Sequence, residues 1–121
     1  MPRKVTRDEF EAALADAAAA AASAEARPAG ELKQVVRATA GWLAQQHPGK
    51  SVELRIPPYA AVQLIEGPRH TRGTPPNVIE TDPATWLELV AGRLSFADAV
   101  AAGRVRASGT RADLSGLLPP T

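Results

Sequence analysis

The residues best suited to chemistry in this chain are Arg69, His70 and Arg72, within a glycine- and proline-rich segment at residues 67–77. Guanidinium groups offer forked donors that suit phosphate or carboxylate, and a histidine adds positive charge below about pH 6.5. Glycines in the same segment let backbone N–H groups approach an anion. The segment therefore predicts a site for an anion or a ligand head group. The alternative is a solvated connection between strands, stiffened by its prolines.

Other residue patterns that support catalysis or metal binding are absent from the sequence. His47 and His70 have no partner at ligand spacing, so we expect no metal site. There is no Gly-x-Ser-x-Gly pattern, and a chain without cysteine has no thiol nucleophile. A weaker alternative is acid–base chemistry by His70 with Glu66, which requires the two side chains to meet in one cleft. We predict a protein that is not an enzyme and uses no cofactor.

The composition narrows the class of partner. A length of 121 residues suits one domain with a real core. A formal net charge of +1 and an aromatic content of 4% argue against nucleic acid, which requires a basic surface and stacking platforms. No apolar run is long enough to span a membrane, and the first residues lack the apolar stretch of a signal peptide. We expect a cytoplasmic protein without stable membrane insertion.

Helix signals dominate the first part of the chain. Thr6 and Glu9 form a capping box that predicts a helix over residues 7–25, whose apolar stripe is mostly alanine. A second helical apolar face runs from Leu32 to Leu43 and ends near the helix breaker Pro48. We expect this second helix to cover a sheet.

Three strands are predicted next. Residues 51–56 alternate between polar and apolar side chains, which is the pattern of a strand with one wet face. Residues 59–66 are apolar on nearly both faces and predict a strand at the centre of the sheet. A short third strand over residues 78–81 leads into the next helix.

The segment of residues 81–109 contains two short helices and a strand, each closed by a glycine. Asp82 caps a helix that begins at Pro83, and Ser95 with Asp98 begins the next one. The glycines that end these three elements are Gly92, Gly103 and Gly109. A further capping box at residues 110–113 predicts a last short helix.

The spacing of Trp86, Gly92, Leu94, Ala99, Gly103, Val105 and Gly109 resembles the signature of the sterol carrier protein type-two family, in a small bacterial version. The order of elements fits from residue 32 to residue 118. The resemblance implies an α+β fold, with a small, mostly antiparallel sheet of about four to five strands covered by helices. Residues 1–28 would be an alanine-rich helical extension, and residues 29–121 the sterol-carrier-like domain.

The resemblance also implies a cavity that holds an apolar molecule between sheet and helices. The ligand would be a lipid, fatty acid or acyl-CoA, and the protein a non-catalytic carrier. The residues in the corresponding positions are Val35, Val36, Leu43, Leu54, Ile56, Val62, Leu64, Trp86, Leu89, Leu94 and Val100. The alternative is an accessory or protein-interaction module of the same fold with a filled cavity. The added first helix would either act as a lid for the cavity or, because an alanine stripe permits close helix approach, provide a contact for a homodimer.

Overall fold

Four helices and four strands are present in the computed structural model, which describes residues 4–68 and 77–121. The helices and strands are α1 (Arg7–Ala22), α2 (Ala29–Gln46), β1 (Val52–Ile56), β2 (Ala60–Leu64), β3 (Asn77–Thr81), α3 (Pro83–Val90), α4 (Phe96–Ala101) and β4 (Val105–Ser108). The strands form one sheet in the order β2-β1-β3-β4. β1 pairs with β2, and β3 with β4, in antiparallel fashion, whereas β1 and β3 run parallel. The predicted α+β class is confirmed, with a mixed sheet.

One face of the sheet is dry and the other is wet. Alternate residues of β1 and β3 are buried, and the buried set of β1 is Val52, Leu54 and Ile56. Charged side chains occupy the opposite face, where Arg55 Nε donates to Glu53 Oε1 at 2.6 Å. This alternation is what a sheet covered by helices on a single face requires.

β2 lies at an edge of the sheet, so the prediction of a central position is wrong. Its register with β1 directs Ala60, Val62 and Leu64 toward the dry face, but only Leu64 is buried there. The apolar pattern predicted burial on both faces of the strand, but Ala61, on the other face, is exposed. The next residue, Ile65, has a φ of 66° and leaves the strand.

The alanine-rich helix α1 packs against the rest of the protein through one side. Its start is the predicted capping box: the Thr6 hydroxyl accepts from the Glu9 amide at 3.1 Å, and the Glu9 carboxylate accepts from the Thr6 amide at 3.2 Å. The alanine stripe, Ala13, Ala17 and Ala20, is buried in the main core. Small side chains let α1 approach α2 and α3 closely, so this stripe is covered by the chain itself.

The predicted caps of α3 and α4 are present. Asp82 Oδ2 accepts from the Thr85 amide at 3.0 Å, and the Ser95 hydroxyl accepts from the Asp98 amide at 3.1 Å. Beyond each helix, Gly92 and Gly103 take a φ of +74°, which glycine adopts without steric cost. These glycines end the helices as expected.

The predicted last helix is wrong, because residues 110–121 form turns and irregular structure. The Asn77 side chain accepts from the Arg111 amide at 2.8 Å, which ties this segment to the start of β3. Asp113 accepts from the Ser115 amide at 2.8 Å, a local bond that competes with helix formation. Leu114 is buried and anchors the segment.

Candidate functional site

Most residues in the predicted cavity lining lie in the packed core. Seven of them are at most 1% exposed: Val36, Leu43, Leu54, Ile56, Leu64, Trp86 and Leu89. They belong to one contiguous cluster between the dry face of the sheet and the helices. The fold therefore brings these side chains together, and they contact each other instead of facing an open space.

Trp86 is the largest fully buried side chain of this interior. Its indole N–H donates to the Thr39 hydroxyl at 2.8 Å, and that hydroxyl lies 2.9 Å from the Val35 carbonyl oxygen. Every polar atom of this buried pair has a partner, since no unsatisfied buried side-chain nitrogen or oxygen occurs in the described residues. The arrangement stabilises a filled interior.

An open groove of about 1130 Å³ lies beside this core. Its walls are α1, α2 and the β1–β2 hairpin, so it opens at the edge of the sheet where β2 lies. Its apolar surface comes from Ala12, Ala13, Val35, Ala38, Ala60 and Val62. Typical ligand pockets measure roughly 300–1,000 Å³, so the groove has room for a small molecule or an extended chain.

The rim of the groove is mainly basic. Lys33, Arg37 and Arg55 line it, together with one carboxylate, Glu9. Arg37 Nε donates to the Tyr59 carbonyl oxygen at 2.8 Å, which holds the guanidinium beside the hairpin turn. Because Arg55 is paired with Glu53, the excess positive charge of the rim comes from Lys33 and Arg37, and it favours a partner or ligand with negative charge.

The remaining predicted site residues are dispersed. Val35 and Val62 line the groove. Leu94, between α3 and α4, is half-buried, and Val100 on α4 is 39% exposed and outside the groove. The predicted head-group residues Arg69, His70 and Arg72 lie outside the described residues.

The α1 wall of the groove is anchored by Trp42. The Phe10 ring stacks on the Trp42 ring at a centroid distance of 5.0 Å, and the Arg7 guanidinium lies 5.0 Å from the same ring. Before the helix, the Val5 amide donates to the Gln45 side chain at 2.6 Å, and Gln45 Nε2 donates back to the Val5 carbonyl at 2.9 Å. These contacts hold the entrance of α1 on α2.

A second, smaller cleft of about 400 Å³ contains His47, Glu66 and Asp113. The hydrogen bonds from the Ser115 hydroxyl and amide lower the pKa of Asp113, so this carboxyl favours its charged form. Within the described residues no group of three or more such side chains is arranged to hold a metal ion. The proposed partner of Glu66 in acid–base chemistry, His70, lies outside them.

Sequence reasoning missed Lys33, Arg37 and Tyr59 as rim residues. Lys33 and Arg37 are four residues apart, which places them on one face of α2. That spacing was a usable signal, but the position of the hairpin turn opposite them could not be inferred from it.

The architecture is that of an α+β protein with one dry sheet face, covering helices and an apolar groove at the sheet edge. A family model described as bacterial SCP ortholog matches residues 28–120. The chain therefore belongs to this small bacterial sterol carrier protein-like family. No curated protein matches the sequence. Among the described residues, no helix combines the length and the apolar character needed to cross a membrane.

Proposed function

We propose that this protein is a non-catalytic carrier of a small apolar or lipid-like molecule, which binds in the groove between α1, α2 and β2. The observation that supports this most directly is the apolar groove surface, which includes Val35 and Val62 from the predicted lining. Membership of the sterol carrier protein-like family supports the same function. The expected cytoplasmic location, the homodimer and the division of the chain at residue 28 remain predictions, although the alanine stripe is buried and is not the contact for a second copy.

Binding would consist of the transfer of the apolar ligand from water into the groove. Removing apolar ligand surface from water yields about 25 cal/mol for each Å² that is buried. Lys33 and Arg37 on the rim suit the negative end of a fatty acid or acyl-CoA. The core residues behind Val35 support this surface, and they would reach the ligand only if the helices moved. We also keep the proposal that Arg69, His70 and Arg72 bind the head group, in addition to the rim residues.

A second candidate is an accessory or interaction module of the same fold. The observation that favours it is the filled interior, in which Trp86 is 0% exposed. In this alternative the groove takes no lipid, and the protein acts through its surface.

A titration with a fluorescent fatty acid tests the carrier proposal. Val62→Glu places a charge on the groove surface, whereas Val100→Glu makes the same change at an exposed valine outside it. We expect Val62→Glu to weaken binding by about tenfold or more, equivalent to about 1.4 kcal/mol, and Val100→Glu to leave it unchanged. Native mass spectrometry gives the stoichiometry. If the unmodified protein takes up no fatty acid saturably in the micromolar range, the interaction module becomes the better interpretation.

A further inference from the structure

The two edges of the sheet differ in how they are protected. The β4 edge includes Arg106 and follows Arg104, and charged side chains at an edge discourage pairing with another strand. The β2 edge, Ala60–Leu64, has neither a charged residue nor a proline. No described segment pairs with its outer side. An uncharged edge strand of this kind is a template for an additional strand.

The side chains of β2 on both faces of the sheet are available for contact with such an added strand. Ala60 and Val62 are only half-buried and line the groove, so their outer surfaces remain available to apolar side chains. Ala61 and Gln63 are exposed on the wet face. A strand that adds to β2 would direct alternate side chains into the groove and onto the wet face.

The charge of the groove rim favours one kind of partner over others at the β2 edge. Lys33 and Arg37 border the groove from α2, and Arg55 borders it from β1. A second copy related by a twofold axis would bring two such basic rims toward each other, which like-charge repulsion opposes. On its groove side an acidic strand would meet Lys33 and Arg37 of α2, whereas on the wet face it would lie near the paired side chains of Arg55 and Glu53. The charge that favours an acidic partner therefore comes from α2.

We propose that the β2 edge and the adjoining groove form a docking site for an extended, acidic segment of a partner protein, added to the sheet as a further strand. This inference goes beyond the carrier function and does not depend on it. A lipid in the groove would compete with the segment, because both use Ala60 and Val62.

The test uses a blocked, fluorescent peptide of alternating glutamate and valine, about as long as β2. Anisotropy titration against the intact protein should show saturable binding. A lysine–valine peptide of the same length should bind at least about tenfold more weakly. A glutamate–valine peptide with methylated alternate amides should also lose binding, because strand addition needs its backbone donors. Hydrogen exchange should show new protection of β2 amides in the complex.

Variants of exposed residues separate docking from unfolding. Lys33→Glu combined with Arg37→Glu should abolish binding of the glutamate–valine peptide and permit binding of the lysine–valine peptide. Arg93→Glu, an exposed arginine outside the groove, should change neither result. Equal affinity for both peptides, full affinity of the methylated peptide, or no binding by the folded protein overturns the proposal. Fatty acid titration of the same samples reports on the carrier function separately.

Discussion

The indole N–H of Trp86 donates a 2.8 Å hydrogen bond to the hydroxyl of Thr39, and both side chains are almost fully buried. This bond joins α3 to α2 across the region where the resemblance implies a ligand. A large aromatic ring with a satisfied N–H fills that region, and the open volume lies at the sheet edge. The bond therefore helps to keep the interior filled, and the space open to a ligand is the groove at the sheet edge.

Replacing Thr39 tests this bond. Thr39→Val keeps the shape but leaves the indole N–H of Trp86 without an acceptor, which should reduce the free energy of unfolding by about 1–3 kcal/mol. Thr39→Ser keeps the hydroxyl and should lose less. Urea denaturation followed by circular dichroism measures both. Equal stability of the valine variant and the unmodified protein would contradict the assigned role.

Gly49 should tolerate no side chain. A Cβ at this position would lie 2.1 Å from the carbonyl carbon and oxygen of Ile65. Those atoms are fixed, because the Ile65 amide donates to the His47 carbonyl at 2.7 Å and the Ser51 amide donates to the Ile65 carbonyl at 3.0 Å. We expect Gly49→Ala to destabilise the protein by several kcal/mol, of the order of other severe steric changes.

Gly30 provides the matched control. A Cβ there meets nothing within 4 Å, and the residue lies in the first turn of α2. Gly30→Ala should leave stability unchanged or raise it by up to about 1 kcal/mol. Thermal unfolding of the two alanine variants compares them directly. Similar losses in both would show that the contact with Ile65 does not decide the effect.

The Asp82 cap should make the free energy of unfolding depend on pH in the acidic range. Burial acts to raise the pKa of Asp82, but hydrogen bonds from the Thr85 side chain and amide, together with the Arg104 charge, lower it overall. A lowered folded pKa stabilises the protein above the unfolded value of about 3.9, and this contribution disappears as pH falls through the folded pKa. Asp82→Ala should cost about 1 kcal/mol near neutral pH.

The same stability difference between Asp82→Ala and the unmodified protein should narrow at acidic pH. Denaturant titrations at about pH 7 and at a series of pH values below the unfolded value of about 3.9 measure it, since the contribution of a carboxyl with a lowered folded pKa declines in that range. A difference that stays constant over this range would mean that the charge of Asp82 does not stabilise the cap.

The stacking of Phe10 on Trp42 should make α1 part of the cooperative fold. Phe10 is 1% exposed, so Phe10→Ala should reduce the free energy of unfolding by about 3–5 kcal/mol. Glu11→Ala, at an exposed position of the same helix, should change it little. If Phe10→Ala unfolds α1 alone and leaves a stable remainder, the division of the chain at residue 28 gains direct support.

Local signals in the sequence predicted local structure well. The caps at Thr6, Asp82 and Ser95 are present, because each depends on a side chain and an amide only three residues apart. The glycines after α3 and α4 adopt the left-handed conformation for an equally local reason. The family could be inferred because its signature consists of these same short-range features.

Structure that depends on distant partners was harder to predict. The capping signal near residue 110 failed because Asn77, far away in sequence, bonds the Arg111 amide. The edge position of β2 depends on the parallel pairing of β1 with β3, which no local pattern contains. The groove escaped prediction for the same reason, since α1, α2 and the hairpin meet there only in the folded chain.

The methyl groups of α1 give the groove its depth. Ala12 and Ala13 form part of the wall contributed by α1, a helix that precedes the segment matched by the family model. A bulkier residue in place of the exposed Ala12 would make the groove shallower, whereas Ala13 is buried in the core and has no room for a larger side chain. Under the proposed carrier function, an exchange at the Ala12 position of the first helix would change the size of ligand that the groove admits, while the segment matched by the family model stays unaltered.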